Sequence, residues 1–326
     1  MWLNFLLLLV GFVVLIKGAD FLVGGASSAA KKLGISNIAI GLTVVAFGTS
    51  TPELVVSLLS AINGKTDAAF GNVIGSNNFN LLFILGVAGI IYPLVVQRNT
   101  VKFEVPLSLL AALVLYLLVN DLRIWNSPEN VLSRWDAAIL LVFFVGFMLY
   151  IYRTMTQGTD VNAPEEQIKS YTPLISAGLV LLGIAMLVGG GKLVVDSAIQ
   201  IAQQFGLSEK LIGLTILAAG TSLPELATSA VAAYRKNTDI AIGNVVGSNI
   251  FNIFFILGIT GLVSPIPFSM AMNFDIYVLC GATVVLMIFM FTLNQRKLDR
   301  WEAFMLLAGY IAYTVLLIGM DEGMVN

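Results

Sequence analysis

Residues 71–86 read GNVIGSNNFNLLFILG, and residues 243–258 read GNVVGSNIFNIFFILG. The first ten positions of the two stretches agree in eight places, and FILG closes both. A second pair lies at the same offset of 172 residues: GTSTPELVVSLLSA at 48–61 and GTSLPELATSAVAA at 220–233. Further on, SRWD at 133–136 is echoed by DRWE at 299–302, offset by 166. The repeat therefore covers most of the chain, with a slightly longer connection late in the first copy.

Both copies are very apolar. Of 326 residues 58% are hydrophobic and 11% charged, against about a quarter charged in soluble domains. Only helices or closed barrels satisfy the backbone in lipid. The apolar runs here are continuous rather than alternating, which predicts helices. Ten runs can be marked, near 2–30, 36–62, 69–96, 104–120, 135–152, 173–200, 210–233, 240–264, 274–294 and 301–320. The first resembles a signal peptide in its apolar content, but it lacks a basic start and has an internal counterpart in the repeat, so it reads as a membrane helix. The longest polar link, 153–171, separates a first five-helix repeat (1–152) from a second (172–326). Five is odd, so the second copy must enter the membrane from the opposite side. The expected fold is an all-α polytopic membrane protein: ten transmembrane helices in two inverted-topology repeats of five, a common transporter plan.

Links after helices 1, 3, 5, 7 and 9 carry eleven Lys and Arg, and the opposite links four. The positive-inside rule then makes 153–171 a cytoplasmic linker and puts both termini outside the cytoplasm. The single Cys280 excludes an intrachain disulfide, and the absence of histidine excludes imidazole metal sites and histidine proton relays. No basic tract suggests nucleic acid, no stretch is polar enough for a separate soluble domain, and no protein partner is indicated beyond the bilayer itself.

Glu53 is the sole charge between Leu33 and Gly64, and Glu225 the sole charge between Leu211 and Tyr234. Carboxylates at membrane depth face a bundle interior or a wet cavity. They serve either packing, held neutral or paired with a base such as Lys17 or Lys192, or ion binding. The repeat favours ion binding, because inversion brings both acids to one centre. Pro52 and Pro224 remove the amide that the carbonyls of Gly48 and Gly220 would accept, so helices 2 and 7 should be broken, with carbonyls freed around 45–48 and 217–220. Thr49, Ser50, Thr221 and Ser222 add hydroxyls at the breaks.

Helices 3 and 8 carry no charge from Ala68 to Gln97 and from Ile240 to Phe274. Asn72, Ser76 and Asn80, and likewise Asn244, Ser248 and Asn252, recur every four residues on one helical face. Asn72 and Asn244 suit helix–helix hydrogen bonds next to close-packing glycines. Ser76, Asn80, Ser248 and Asn252 accompany the acids as ligand candidates. Asn77 and Asn249 read as ties between helices, and Asn78, opposite Ile250, has no assigned role. Lys17 with Asp20, and Lys192 with Asp196, have the spacing to pair on their own helices. They read either as pairs at the membrane edge or as a vestibule that steers ions. Taken together the candidate ligands are all oxygens, which suits hard cations such as Ca²⁺ and Na⁺. The two carboxylates match one Ca²⁺ or two Na⁺.

The paired GTSxPE and GNxxGSNxFN blocks, in two inverted halves, resemble the calcium/cation antiporter superfamily, in particular its prokaryotic sodium/calcium exchanger branch. The resemblance implies that Glu53 and Glu225 are central Ca²⁺ ligands, joined by the carbonyls of Ala46 and Ala218 and the hydroxyls of Thr49 and Thr221. It places Ser50, Ser76, Ser222 and Ser248 in flanking Na⁺ sites, with Asn80 and Asn252 lining the centre. Helices 1 and 6 would slide across a rigid core. Some members carry Asp at one of the positions held here by Asn80 and Asn252, so this centre has one fewer titratable oxygen. The expectation is an antiporter exchanging Ca²⁺ for Na⁺ in a prokaryotic inner membrane. It is not an enzyme, and it needs no cofactor beyond the transported ions. A Ca²⁺/H⁺ or other cation/H⁺ exchanger is the alternative, with a cation channel or an intramembrane enzyme more remote.

Overall fold

The computed structural model describes residues 2–124, 129–155, 171–205, 218–291 and 296–323. The principal helices are α1 (Trp2–Leu33), α2 (Asn37–Thr49), α3 (Thr51–Ile62), α4 (Thr66–Ile91), α5 (Thr100–Val119), α6 (Arg134–Thr154), α7 (Pro173–Gln204), α8 (Leu223–Tyr234), α9 (Thr238–Val263), α10 (Met270–Phe289) and α11 (Arg300–Gly323). Eight of them are long and apolar enough to cross a membrane, and nine spans result if the bent pair α2 and α3 counts as one. The remaining expected span, the seventh at 210–233, begins within 206–217 and so partly outside the described residues. The linker 153–171 falls mostly outside them too.

Two helices form the centre. The best membrane-length window of α9 is 94% buried and that of α4 is 72% buried, while no other span exceeds 39%. The outer helices turn large apolar side chains outward, such as Leu3, Leu6, Leu9 and Val13 on α1. In a bilayer this needs no polar compensation. α4 ends at Ile91, earlier than the apolar run suggests, because Tyr92 is extended and Pro93 follows.

α1 and α7 lie antiparallel along a seam of small residues. Gly11 faces Gly190, Gly18 faces Gly183, and Gly25 faces Ser176. A Cβ on Gly18 would stand 3.0 Å from the Gly183 carbonyl oxygen, and one on Gly25 would stand 2.8 Å from the Ser176 carbonyl oxygen. Repetition every seven residues keeps the seam on one face of each helix, so the two backbones touch along most of their length.

Short strands clip the two copies together. β1 (Leu94–Val95) pairs antiparallel with β4 (Lys297–Leu298), and β2 (Val131–Leu132) with β3 (Ile266–Pro267). SRWD forms a capping box, with the Ser133 side chain accepting from the Asp136 amide and Asp136 accepting from the Ser133 amide. In DRWE, Glu302 accepts from the Asp299 amide at 2.8 Å. The arginines of these motifs reach across the copies: Arg134 donates to the Leu262 carbonyl at 3.1 Å and Arg300 to the Ile90 carbonyl at 3.2 Å. Each thereby satisfies a carbonyl at the end of a central helix.

Candidate cation site

The chain bends by 47° between α2 and α3. The break is at Ser50, with Pro52 in the first turn of α3. In the second copy a helical turn, Ala218–Gly220, is followed by Thr221 and Ser222 before α8 starts with Pro224 in its first turn. Proline is tolerated there because the first amides of a helix have no partner. Space is tight just before each break: a Cβ on Gly48 would lie 2.5 Å from the Ile184 side chain and one on Gly220 2.5 Å from the Val195 side chain, so either neighbour would have to shift to admit it. Both contacts are with α7.

Glu53 is 1% exposed and Glu225 fully buried. Their partners cross between the copies. Ser50 Oγ donates to Glu225 Oε1 at 2.8 Å and lies 3.0 Å from Ser248 Oγ. Ser222 Oγ donates to Glu53 Oε1 at 3.0 Å and lies 2.9 Å from Ser76 Oγ. Each serine starts the helix that carries the other acid, so both carboxylates belong to one site. Ser76 and Ser248 sit 3.5 Å from Glu53 Oε1 and Glu225 Oε1. No lysine or arginine is paired with either acid among the described residues.

The stripe residues hold the acids in place. Asn72 donates to the Glu53 carbonyl (3.1 Å) and to Ser57 Oγ (2.8 Å), and Asn244 donates to the Glu225 carbonyl (3.2 Å) and to Ser229 Oγ (2.9 Å). Their side-chain oxygens accept across the copies, from Thr221 and Thr49, each at 3.1 Å. The Ala46 carbonyl, expected to be free, accepts the Ser50 amide at 3.0 Å and the Thr49 hydroxyl at 3.3 Å. Missing only Pro52, the helix closes its last turn onto Ala46, and a second lone pair remains that Thr49 can release. Ala218 opens the helical turn before the second break.

Asn77 and Asn249 tie α4 to α9. Asn77 Nδ2 donates to the Asn249 carbonyl at 3.2 Å, and Asn249 Nδ2 donates to the Asn77 carbonyl at 3.3 Å. Asn249 Oδ1 accepts from Asn80 Nδ2 (3.0 Å) and Asn77 Oδ1 from Asn252 Nδ2 (2.9 Å). An amide whose nitrogen is committed this way must turn its oxygen the other way. Asn80 Oδ1 and Asn252 Oδ1 are indeed buried without a hydrogen-bond partner, and so are Glu53 Oε2 and Glu225 Oε2. These four oxygens are related in pairs by the 172-residue repeat. A buried polar atom left unpartnered costs about 1–3 kcal/mol, and more if charged. Two carboxylate and two amide oxygens together are a donor set for a hard cation. No cluster of three or more Asp, Glu, His or Cys is present among the described residues, so the site combines two charges with neutral oxygens.

The sequence reading did not foresee several features. Asn80 and Asn252 sit in π-helical segments, Phe79–Ile84 and Phe251–Leu257, and a third π segment, Gly41–Val45, precedes the first break. Such segments often mark functional sites, and even four-residue spacing in the sequence conceals them. Asn78 gains a role: its Nδ2 donates to the Asp275 carbonyl (3.0 Å) and lies 3.3 Å from the Tyr313 hydroxyl, which donates to Asp275 Oδ1. The same-helix pair Lys17–Asp20 is not formed. Asp20 binds Arg235 instead, because α1 packs against α8 and places that guanidinium closer than Lys17. Lys192 and Asp196 are both exposed.

A bundle of membrane-length apolar helices packed around α9 and α4, 94% and 72% buried, is an integral membrane protein in its architecture. The family described as sodium/calcium exchanger protein matches residues 3–153 and 175–319, and the chain belongs to it. It is 39% identical over 95% of its length to the putative antiporter CaxA of Alkalimonas amylolytica, covering 97% of that protein. It is 32% identical to the sodium/calcium exchanger MaX1 of Methanosarcina acetivorans, over 96% of this chain and 98% of that one. Among solved structures it matches the sodium-calcium exchanger NCX_Mj, soaked without Na⁺ and Ca²⁺, with a TM-score of 0.80 and 33% identity, covering 97% of this chain and 99% of that one. These relatives are transporters rather than enzymes.

Proposed function

We propose that the chain is a secondary active antiporter that exchanges Ca²⁺ for Na⁺ by alternating access, with both ions bound at the break between α2 and α3, at the break before α8, and along α4 and α9. The observation that carries this reading is the symmetric set of four unpartnered oxygens on Glu53, Glu225, Asn80 and Asn252. One Ca²⁺ neutralises the two carboxylates, and so do two Na⁺. Ca²⁺ takes six to eight oxygens at about 2.3–2.6 Å, so the carbonyls of Ala46 and Ala218 and the hydroxyls of Thr49 and Thr221 would complete its shell. Ser50, Ser76, Ser222 and Ser248, which bridge the acids to the central helices, would hold Na⁺ beside it. Because both cations draw on the same carboxylates, loading one expels the other, and that exclusion is the coupling.

The strand clips support ten spans in two inverted repeats. β1 lies in the link after the third span and β4 in the link after the ninth. In an inverted repeat these links share a membrane face. In a repeat inserted twice in the same sense they would lie on opposite faces and could not pair. The same holds for β2 and β3. The Lys and Arg count then assigns the β1–β4 face to the cytoplasm and both termini to the other side. A 34% identical inner membrane protein, YrbG of Escherichia coli, supports an inner-membrane location. The seam between α1 and α7 supports these two helices moving as a pair over the core.

The test is ⁴⁵Ca²⁺ uptake into Na⁺-loaded proteoliposomes diluted into Na⁺-free buffer, with Glu53→Gln as control. The expected result is uptake that requires the outward Na⁺ gradient and disappears in the variant. Uptake driven by a pH gradient alone would put the protein in the proton-coupled class. Uptake unchanged in Glu53→Gln would refute the site.

A further inference from the structure

A second polar crevice lies away from the central acids. It has a volume of about 230 Å³ and is lined by residues that include Ser36, Leu42, Gln97, Arg98, Glu104 and Thr154. Its walls are the start of α2, the link from α4 to α5, the first turns of α5 and the end of α6. Glu104 is only 3% exposed. Its Oε1 accepts the Tyr150 hydroxyl at 2.6 Å, while its Oε2 is buried with no partner. One turn earlier, Thr100 is 1% exposed and its hydroxyl also lacks a partner. Both sit in the π-helical segment Thr100–Glu104, a distortion frequent at functional sites.

One oxygen of the carboxyl, Oε2, is left without a hydrogen-bond partner among the described residues. Ionised, Oε2 needs a donor or a cation; protonated, it needs an acceptor. Arg98 shares the crevice but is exposed and makes no ion pair with Glu104 among the described residues.

We propose that this crevice is an accessory site for a monovalent alkali cation, Na⁺ or K⁺, with Glu104 as its charged ligand and Thr100 as a neutral one. The charge decides the ion class. Arg98 is exposed, so the buried part of the lining carries a single carboxylate; one positive charge neutralises it, and a divalent ion would leave a net charge in a poorly solvated crevice, which is costly. The amide of Gln97, which lines the crevice, donates to Asp239 Oδ2 at 2.7 Å. An occupant would link α5 to Ile38, Ala39 and Leu42 at the start of α2, the helix that leads to the break at Ser50. The site would thus bias the broken helix without sharing any ligand with the central acids.

The experiment measures thermal unfolding of the full-length protein in detergent, in NaCl and in KCl, each against choline chloride at equal ionic strength. The background is Glu53→Gln/Glu225→Gln, so that the central site contributes nothing. A rise of about 2 °C in one alkali salt is expected for an occupied site, and it should be lost on adding Glu104→Gln or, separately, Thr100→Val. Thr100→Val keeps the carboxylate and the volume, so a folding defect of the Glu104 variant would not obscure the result. The proposal is overturned if neither salt raises the melting temperature of the background variant, or if the rise survives both substitutions.

Discussion

Gly183→Ala and Gly189→Ala differ by six positions on one helix and should differ in sign. A Cβ on Gly183 would lie 2.6 Å from the Leu22 amide nitrogen and 2.8 Å from the Gly18 carbonyl oxygen. Van der Waals contact lies near 3.5 Å or more, so α1 and α7 would have to separate by most of an ångström at the middle of their seam. The obstructing atoms are backbone and cannot swing aside. Overpacking of this kind costs about 1–3 kcal/mol, against about 0.8–1 kcal/mol gained from the better helix former. Gly189 meets nothing within 4 Å, so its replacement should keep the helix-propensity gain. At about 2 °C per kcal/mol for a chain of this size, Gly183→Ala should melt about 2–6 °C below Gly189→Ala in detergent. Equal melting temperatures, or Gly183→Ala above Gly189→Ala, would refute the reading of the seam as backbone-to-backbone contact.

Other outcomes follow from the site. Ser50→Ala and Ser222→Ala each remove a hydrogen bond to a buried carboxylate, worth about 1.5–3 kcal/mol. Each should raise the half-saturating Na⁺ concentration in ⁴⁵Ca²⁺ exchange about tenfold or more, and by similar factors. Asn77→Ala should lower the melting temperature, because it leaves the amide of Asn252 without its acceptor, at about 1–3 kcal/mol. It should also weaken Ca²⁺ uptake, because Asn252 is then free to turn its oxygen. Asn78→Ile, which copies Ile250, should cost stability near Asp275 and Tyr313 while leaving ion selectivity unchanged, as read from Na⁺-dependent exchange. Arg235→Ala should shift the melting temperature little, since its pair with Asp20 is 38% exposed on both sides and such pairs are worth about 0–1 kcal/mol.

Much of this was legible in the residues, because the repeat is written at the level of motif. The acids, the prolines and the four-residue stripe marked residues that the fold brings together. What the sequence could not show was pairing. Ser50 stands three residues from Glu53 on one segment, and nothing local indicates that it serves Glu225 instead. Asn77 and Asn249 could be read as ties, but the consequence, that they fix which way Asn80 and Asn252 present their oxygens, exists only once α4 crosses α9. The Lys17–Asp20 reading failed for a similar reason: spacing on a helix is visible in a sequence, while a closer guanidinium from another helix is not. The π segments stayed hidden because they change backbone register without changing composition.

The crossed serines also bear on how such a protein could have arisen. Because Ser50 serves the acid of the second copy and Ser222 that of the first, a single copy holds an acid without its donor and a donor without its acid. A five-helix chain on its own could form these hydrogen bonds only as a pair of molecules, each lending its serine to the other. Joining the two into one polypeptide adds no new chemistry to the site. It makes the pairing obligatory, and it frees each copy to diverge where the partner does not need it, as Asn78 and Ile250 already have.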